Sequence, residues 1–538
     1  MCGILAIIGK GKEEQLVRDL SQRMAHRGPD ENGLFITEKG HFLSHERLSI
    51  VDLSTGKQPI QGTATAYVVH NGEIYNHKEL RSGILKGHTF RTQSDSEVIV
   101  HLYEEFGFDF CDKLDGDFAF VIVDGDNYMA ARDPLGVKPL YYGLDERGRI
   151  YFASEMKAIV DQCKTCSTFP PGHYYTANTG FVKYFRPEFE NFEKANQETD
   201  FALIRNALIK ATQKRLIADV PIGVLLSGGL DSSLITAIAA RLQAESGKKL
   251  QSFAIGLDAN APDVAAARKV AAFLKTEHSE IYFTVQDGIE IIQEVIRQIE
   301  TYDVITVRAS VPMYFVAKAI KKSGIKVVLS GEGADEIFGG YLYFANAPSV
   351  EDFQKETIER VQKLFTADLL RADKAMMAHG VETRVPFLDK EFLDIALRIK
   401  AEEKMPKTYH GKEKYILRKA FDFPEDSYLP DEVLWRQKEQ FSDGVGYNWI
   451  DELIDYCATQ VTEEQLAGAA IEFPYNSPAT KEAYFYRSIF NKYYPQTTAA
   501  QTVRKWIPKW QENLDPSGRA NSAHMQADTE IAKTRGTF

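Results

Sequence analysis

Residues 220–226 are apolar enough to form a buried strand, and they run straight into Ser227-Gly228-Gly229-Leu230-Asp231-Ser232. The next stretch, 231–244, sets Leu234, Ile235, Ile238, Ala239 and Leu242 on one helical face. A strand that turns through glycines into a helix constrains the fold strongly. Small residues let the backbone approach an anion, and the helix N-terminus turns N–H groups and positive potential toward it. No lysine follows the glycines, so this is not the G-x-x-x-x-G-K-[ST] phosphate loop. Further strands are predicted at 252–257, at 280–284, where Ile281 and Phe283 alternate, and at 325–329. Strands alternating with helices imply a parallel sheet with helices on both faces and ligands at the carboxyl ends of the strands. The 325–329 strand ends in a second loop of the same kind, Ser330-Gly331-Glu332-Gly333-Ala334-Asp335-Glu336. Acids facing a triphosphate would repel it, so Mg²⁺ is expected, with Asp231 and Asp335 as its holders. Taken singly, each loop also fits a plain turn or a solvated acidic loop.

The first 190 or so residues read differently. Residues 3–9 form a short apolar run, and Leu16, Val17, Leu20 and Met24 follow with a helical period. Short apolar runs come next at 66–69, 118–123, 128–131, 140–142 and 150–152, separated by Asn-Gly, Asp-Gly and Arg-Gly. That pattern predicts mostly antiparallel sheet. The polar, acidic stretch 187–199 is the expected linker, and beyond about residue 355 the chain reads mainly helical. The expected division is one domain over 2–195, a second over 200–518, and a polar tail over 519–538. A chain of 538 residues, 44% hydrophobic and 26% charged, can bury a core in each.

A net charge of −12 argues against a nucleic-acid footprint. No stretch approaches the ~20 apolar residues of a membrane helix, and no basic leader precedes an apolar run. The five cysteines are sparse and odd in number, which fits a reducing compartment. Cys163 and Cys166 form a Cys-x-x-Cys with no second pair at zinc-site spacing, so they read as ordinary thiols. A cytoplasmic protein is expected.

Cys2 follows the initiator methionine. Removal of Met1 would give one residue both a thiol and a free α-amine whose reference pKa of ~7.7–8.0 suits a base. Around it the chain carries His26-Arg27-Gly28-Pro29-Asp30, Arg47-Leu48-Ser49-Ile50-Val51, Asn71-Gly72-Glu73-Ile74-Tyr75-Asn76 and Asp95 opening a helix. An Asn-Gly turn can offer a side-chain amide and a backbone N–H to one oxyanion. Arg47 and Asp95 could pair with the carboxylate and ammonium of an α-amino acid. Each fragment alone also reads as a hairpin turn or a surface charge.

Together these fragments resemble the class II glutamine amidotransferase domain. The resemblance implies an N-terminal-nucleophile hydrolase αββα sandwich in which Cys2 attacks the glutamine amide and releases ammonia. It also implies an oxyanion hole from Asn71 and Gly72, and a glutamine site from Arg47, Leu48, Ser49, Ile50, Val51, Asn71, Gly72, Glu73 and Asp95.

The second half resembles an ATP-pyrophosphatase-type synthetase domain, and the whole chain resembles the glutamine-hydrolysing asparagine synthetase family. Supporting stretches are 300–303 (Glu-Thr-Tyr-Asp), 308–310 (Arg-Ala-Ser), 384–389 (Arg-Val-Pro-Phe-Leu-Asp) and 435–444. The fold class implied is α/β and α+β in two domains, with a helical C-terminal part. The resemblance implies ATP contacts at Leu226, Ser227, Gly228, Gly229, Asp231, Ser232, Ile255, Ser330 and Gly331. It assigns Glu332 to formation of a β-aspartyl-AMP intermediate, with Asp335 and Arg308 near aspartate or the intermediate. Lys438 would neutralise charge on the phosphates. It further implies an ammonia tunnel and a homodimer. One position departs from the family: residues 303–306 read Asp303-Val304-Ile305-Thr306, with Ile305 where a hydroxyl residue is expected. The rival reading is a related amidotransferase acting on a different carboxylate.

Overall fold

The computed structural model describes residues 2–11, 13–437, 444–446 and 448–511. Two antiparallel six-stranded sheets build the N-terminal part. In the first, the Gly3–Ile8 strand lies between Phe42–Arg47 and Ile150–Ala153. In the second, Tyr67–Ile74 pairs with Gly116–Asp124, which pairs with Asn127–Arg132.

Strand alternation explains the layering. Ile4, Ala6 and Ile8 face the second sheet and share a core with Val69, Ala119, Val121 and Val123. Leu5 and Ile7 face the other way, onto Val17, Leu20 and Met24; the first two lie on the Glu14–Gln22 helix. The outer face of the second sheet packs Val68, Phe118, Phe120 and Ile122 against Val98, Ile99 and Leu102 of the Glu97–Phe106 helix. The result is the expected α-β-β-α stack.

The second part holds a five-stranded parallel sheet in the order Glu277–Tyr282, Gln251–Gly256, Ile222–Leu225, Val327–Leu329, Glu382–Arg384. Helix Leu230–Glu245 leaves the first glycine loop, and helices predominate after residue 350. Among the described residues no helix is long and apolar enough to cross a membrane.

The segment expected as a linker is docked, since Gln197 N–H donates to Arg398 O and Lys400 N–H to Gln197 O. Buried charges stitch the two halves together. Arg27 reaches Glu155 at 2.9 Å and Asp373 at 2.7 Å. Glu300 accepts the Met156 and Lys157 N–H groups at 2.9 and 2.6 Å and also pairs with Lys374. Burial opposes the Lys374 charge, but Glu300 beside it holds its pKa above the usual lysine range.

Candidate functional site

Cys2 is 8% exposed at the start of the first sheet. Its nitrogen donates to Asn71 Oδ1 at 2.7 Å, its thiol lies 3.9 Å from Leu48 O, and its carbonyl accepts from Arg27 Nε at 2.9 Å. Burial pushes the thiol pKa up, while the Leu48 carbonyl contact and Arg47 pull against it. The nitrogen is a peptide nitrogen while Met1 is attached and becomes the α-amine on its removal.

The expectation that Asn71 and Gly72 form a turn is corrected. Both lie inside the Tyr67–Ile74 strand, opposite Ala119 and Phe118. Gly72 has φ +143°, and a Cβ there would stand 2.0 Å from Asp117 O, so pairing in the sheet demands glycine. Asn71 Nδ2 is buried without a hydrogen-bond partner among the described residues. An orphaned buried donor next to a nucleophile suits an oxyanion.

Residues 48–51 follow the strand, which ends at Arg47. The side chains of Leu48 and Ile50 pack into the core of the second half. Ser49 N–H donates to Asp30 Oδ2 at 2.7 Å, and Ile50 O accepts from Asp219 N at 2.9 Å. Arg47 is buried, with Nη1 on Glu31 Oε2 at 2.6 Å and Nη2 reaching Val51 O at 3.5 Å. Asp95 lies two residues before the Glu97–Phe106 helix and accepts the Ile74 N–H at 2.7 Å. Burial raises its pKa to about 6. Burial, with Asp95 and Glu382 nearby, also raises the Glu73 pKa, against the pull of Arg384.

Sequence reasoning missed that Arg384, from the edge of the parallel sheet, enters this site. Its Nη2 is 3.0 Å from Glu73 Oε1, and its Nε donates to Glu382 Oε1 at 2.5 Å. Its own carbonyl accepts the Ser330 N–H at 2.9 Å. One residue therefore touches the glutamine-type pocket through its side chain and the second glycine loop through its backbone. The 384–389 motif flagged the residue but not this placement.

The second site is a cleft at the carboxyl ends of the parallel strands. It opens to solvent and is bordered by both glycine loops. Leu226, Ser227, Gly229, Asp231, Ser232, Ile255, Ser330, Gly331, Glu332 and Asp335 all line it. Gly228 (φ +73°) packs underneath, where a Cβ would come within 2.4 Å of Ala267 N. A Cβ on Gly331 would meet Ser232 N at 2.7 Å, so the two loops touch only because this residue is glycine. Ser227 N–H donates to Ser232 Oγ, and the Leu230–Glu245 helix has no side-chain cap. Its first-turn N–H groups therefore face the cleft without side-chain competition.

Asp231 and Asp335 converge, but on an ammonium: Lys414 Nζ lies 2.5 Å from one and 2.6 Å from the other. Arg371 bridges Glu332 at 2.9 Å and Asp368 at 2.8 Å, and Arg436 donates to Gly228 O at 3.1 Å. Lys414, Arg371 and Asp368 carried no recognisable local pattern in the sequence, and the 435–444 stretch flagged Arg436 without giving it a role. The expectation for Arg308 is corrected: it does not line the cleft. It makes a buried two-pronged pair with Glu482, at 2.8 and 2.6 Å, on the Lys481–Tyr493 helix. Ile305 does line the cleft. Lys438 lies outside the described residues.

An α-β-β-α stack with a cysteine at residue 2, joined to a parallel sheet with two touching glycine loops, is the layout of a glutamine amidotransferase fused to a nucleotide-using ligase. The glutamine amidotransferase domain family matches residues 1–195, and the asparagine synthase family matches 203–355 and 345–515. A glutamine-hydrolysing asparagine synthetase of Asparagus officinalis is 50% identical over 97% of this chain and 92% of its own length. A second of Arabidopsis thaliana is 50% identical over 97% and 94%. A probable one of Dictyostelium discoideum is 48% identical over 98% and 99%. The chain belongs to the glutamine-hydrolysing asparagine synthetase family.

Proposed function

We propose that the protein makes L-asparagine from L-aspartate, with ATP converted to AMP and pyrophosphate and with nitrogen taken from glutamine at Cys2. Arg47 pairs with the glutamine α-carboxylate, and Asp95 and Glu73 face its ammonium. The Cys2 thiolate attacks the side-chain amide carbon. Asn71 Nδ2 and the Gly72 N–H receive the oxyanion, a thioester forms and ammonia departs. Water then releases glutamate.

In the cleft, Ser227 to Ser232 and Ser330–Gly331 cradle the phosphates, while Leu226 and Ile255 flank the adenosine. Asp231 and Asp335 would hold the Mg²⁺ that accompanies ATP, since two carboxylates brought together beside the phosphate loops are a hard-oxygen pair. The ion would neutralise phosphate charge, and Lys438 would add to this. A β-carboxylate oxygen of aspartate attacks the α-phosphorus and pyrophosphate leaves, a step assisted by Glu332. Ammonia then displaces AMP from the acyl carbon.

Neutral ammonia must avoid bulk water, which would protonate it. An internal route between the two sites is therefore part of this reading. We read the enzyme as a cytoplasmic homodimer; its five cysteines are all unbridged.

The contact of the two glycine loops across one cleft, with Asp231 and Asp335 converging there, carries this reading. Pyrophosphate release that requires aspartate and Mg-ATP is the test. Release supported by another carboxylate instead would assign the chain to a related amidotransferase.

A further inference from the structure

We propose that His88, His101 and Glu104 bind one divalent transition-metal ion, Zn²⁺ by preference, at a site outside the residues assigned to either reaction centre. One ligand atom from each of the three residues lies within 4.8 Å of the others. His88 Nδ1 and His101 Nδ1 are 3.2 Å apart, and His101 Nδ1 is 3.3 Å from Glu104 Oε2. Bonds of ~2.0–2.1 Å in a tetrahedral shell set neighbouring ligand atoms about 3.3–3.4 Å apart, so both separations already match.

Hydrogen bonding alone accounts poorly for the cluster. If His88 Nδ1–H donates to His101 Nδ1, the His101 lone pair it uses also faces the Glu104 carboxylate. If His101 Nδ1 carries the proton instead, one hydrogen must serve two acceptors. A cation satisfies all three atoms together.

The surroundings fix these atoms as a metal site requires. Glu104 Oε1 accepts the Ala64 N–H at 2.9 Å, which aims Oε2 at His101. His88 Nε2 lies 3.4 Å from Glu105 Oε2, and His101 Nε2 lies 3.5 Å from Glu97 Oε1. His88 thus turns its far nitrogen to a carboxylate within hydrogen-bond reach, the arrangement that orients a ligating histidine, while His101 Nε2 only faces Glu97 without a hydrogen bond. The Phe90 ring meets His101 edge-on at 4.6 Å and restrains it. The His101 side chain is 1% exposed, while those of His88 and Glu104 are 18% and 14% exposed, so the cluster opens on one side for a water as fourth ligand. Two imidazoles and one carboxylate suit Zn²⁺, Co²⁺ or Ni²⁺ and not the all-oxygen preference of Mg²⁺.

His88 lies in the segment between the His77–Ser82 and Glu97–Phe106 helices, and that segment carries Asp95 next to its last residue. The ion therefore clips the segment that presents Asp95 onto the helix behind it.

The test uses full-length protein stripped with chelator, reloaded with Zn²⁺ or Co²⁺ and dialysed. Wild type is expected to retain one Zn²⁺ per chain, to give visible Co²⁺ bands of a four-coordinate nitrogen–oxygen site, and to melt at a higher temperature when loaded. His88→Asn and Glu104→Gln should lose the ion and its effect on melting while keeping aspartate-dependent pyrophosphate release. Cys163→Ser should retain the ion. The proposal is overturned if wild type keeps no ion, if the His88 and Glu104 variants keep as much as wild type, or if the Co²⁺ spectrum shows thiolate charge transfer.

Discussion

Arg384→Met removes a guanidinium that belongs by sequence to the synthetase half and by contact to the glutamine pocket. The side chain is fully buried and serves Glu73 at 3.0 Å, Glu382 at 2.5 Å, and the carbonyls of Arg215 and Ile217 at 2.9 and 2.6 Å. Breaking a buried ion pair from one side costs about 3–5 kcal/mol. Part of this is relieved by proton uptake, because burial has already raised the Glu73 pKa. With about 1.4 kcal/mol per factor of ten, some 3 kcal/mol left in the pocket predicts a ~10²-fold loss in glutaminase kcat/KM. The backbone bond from Ser330 N to Arg384 O survives the substitution. Ammonia-dependent, aspartate-dependent pyrophosphate release should therefore stay within a few-fold of wild type and serves as the internal control for folding. Glutaminase kinetics by glutamate release and synthetase kinetics by pyrophosphate release, on one preparation, are the assays. Wild-type glutaminase kinetics in the variant would refute the reasoning, as would an equal loss of both activities.

Asp95 gives a pH dependence. Its pKa is raised to about 6 by burial, so it is ionised above that pH and neutral below it. The glutamine KM is expected to climb as pH falls through 6, while the KM for ATP in the ammonia reaction shows no such step. Ile305→Thr restores a hydroxyl in the cleft. One added hydrogen bond of about 0.5–1.5 kcal/mol should lower the aspartate KM roughly 2- to 13-fold and leave the ATP KM unchanged. Lys414→Met leaves Asp231 and Asp335 without the ammonium between them. Pyrophosphate release should fall at least ~10²-fold at saturating Mg-ATP with glutaminase activity intact.

The strand-loop-helix units were legible because their signals are local. The predicted 252–257 strand is Gln251–Gly256, and the predicted 231–244 helix is Leu230–Glu245. Both glycine loops were placed correctly at strand ends, since only small residues permit the approach of Gly331 to Ser232. The Asn71-Gly72 dipeptide misled for the opposite reason. Asn-Gly favours a turn locally, but pairing with Gly116–Asp124 holds both residues in a strand. Glu382–Arg384 was missed as a strand because it is three polar residues, buried through ion pairs and not through apolar side chains. Phe42–Arg47 was missed similarly, with Ser44, His45, Glu46 and Arg47 all buried. Arg308 looked functional in its motif, yet Glu482, 174 residues further on, claims its guanidinium. Such long-range pairing leaves no trace in local pattern. Lys414 and Arg371 share that obscurity.

The central claim is that two separable sites cooperate in one chain, and Cys2→Ala tests it most directly. Cys2 sits against Asn71 and Leu48, away from the cleft that holds Asp231, Glu332 and Asp335. The variant is predicted to make asparagine, AMP and pyrophosphate from aspartate and Mg-ATP with ammonia at close to the wild-type rate. With glutamine it should make no asparagine and release no glutamate. Asparagine formed from glutamine by the variant would contradict the account, as would loss of the ammonia-dependent reaction in a folded protein.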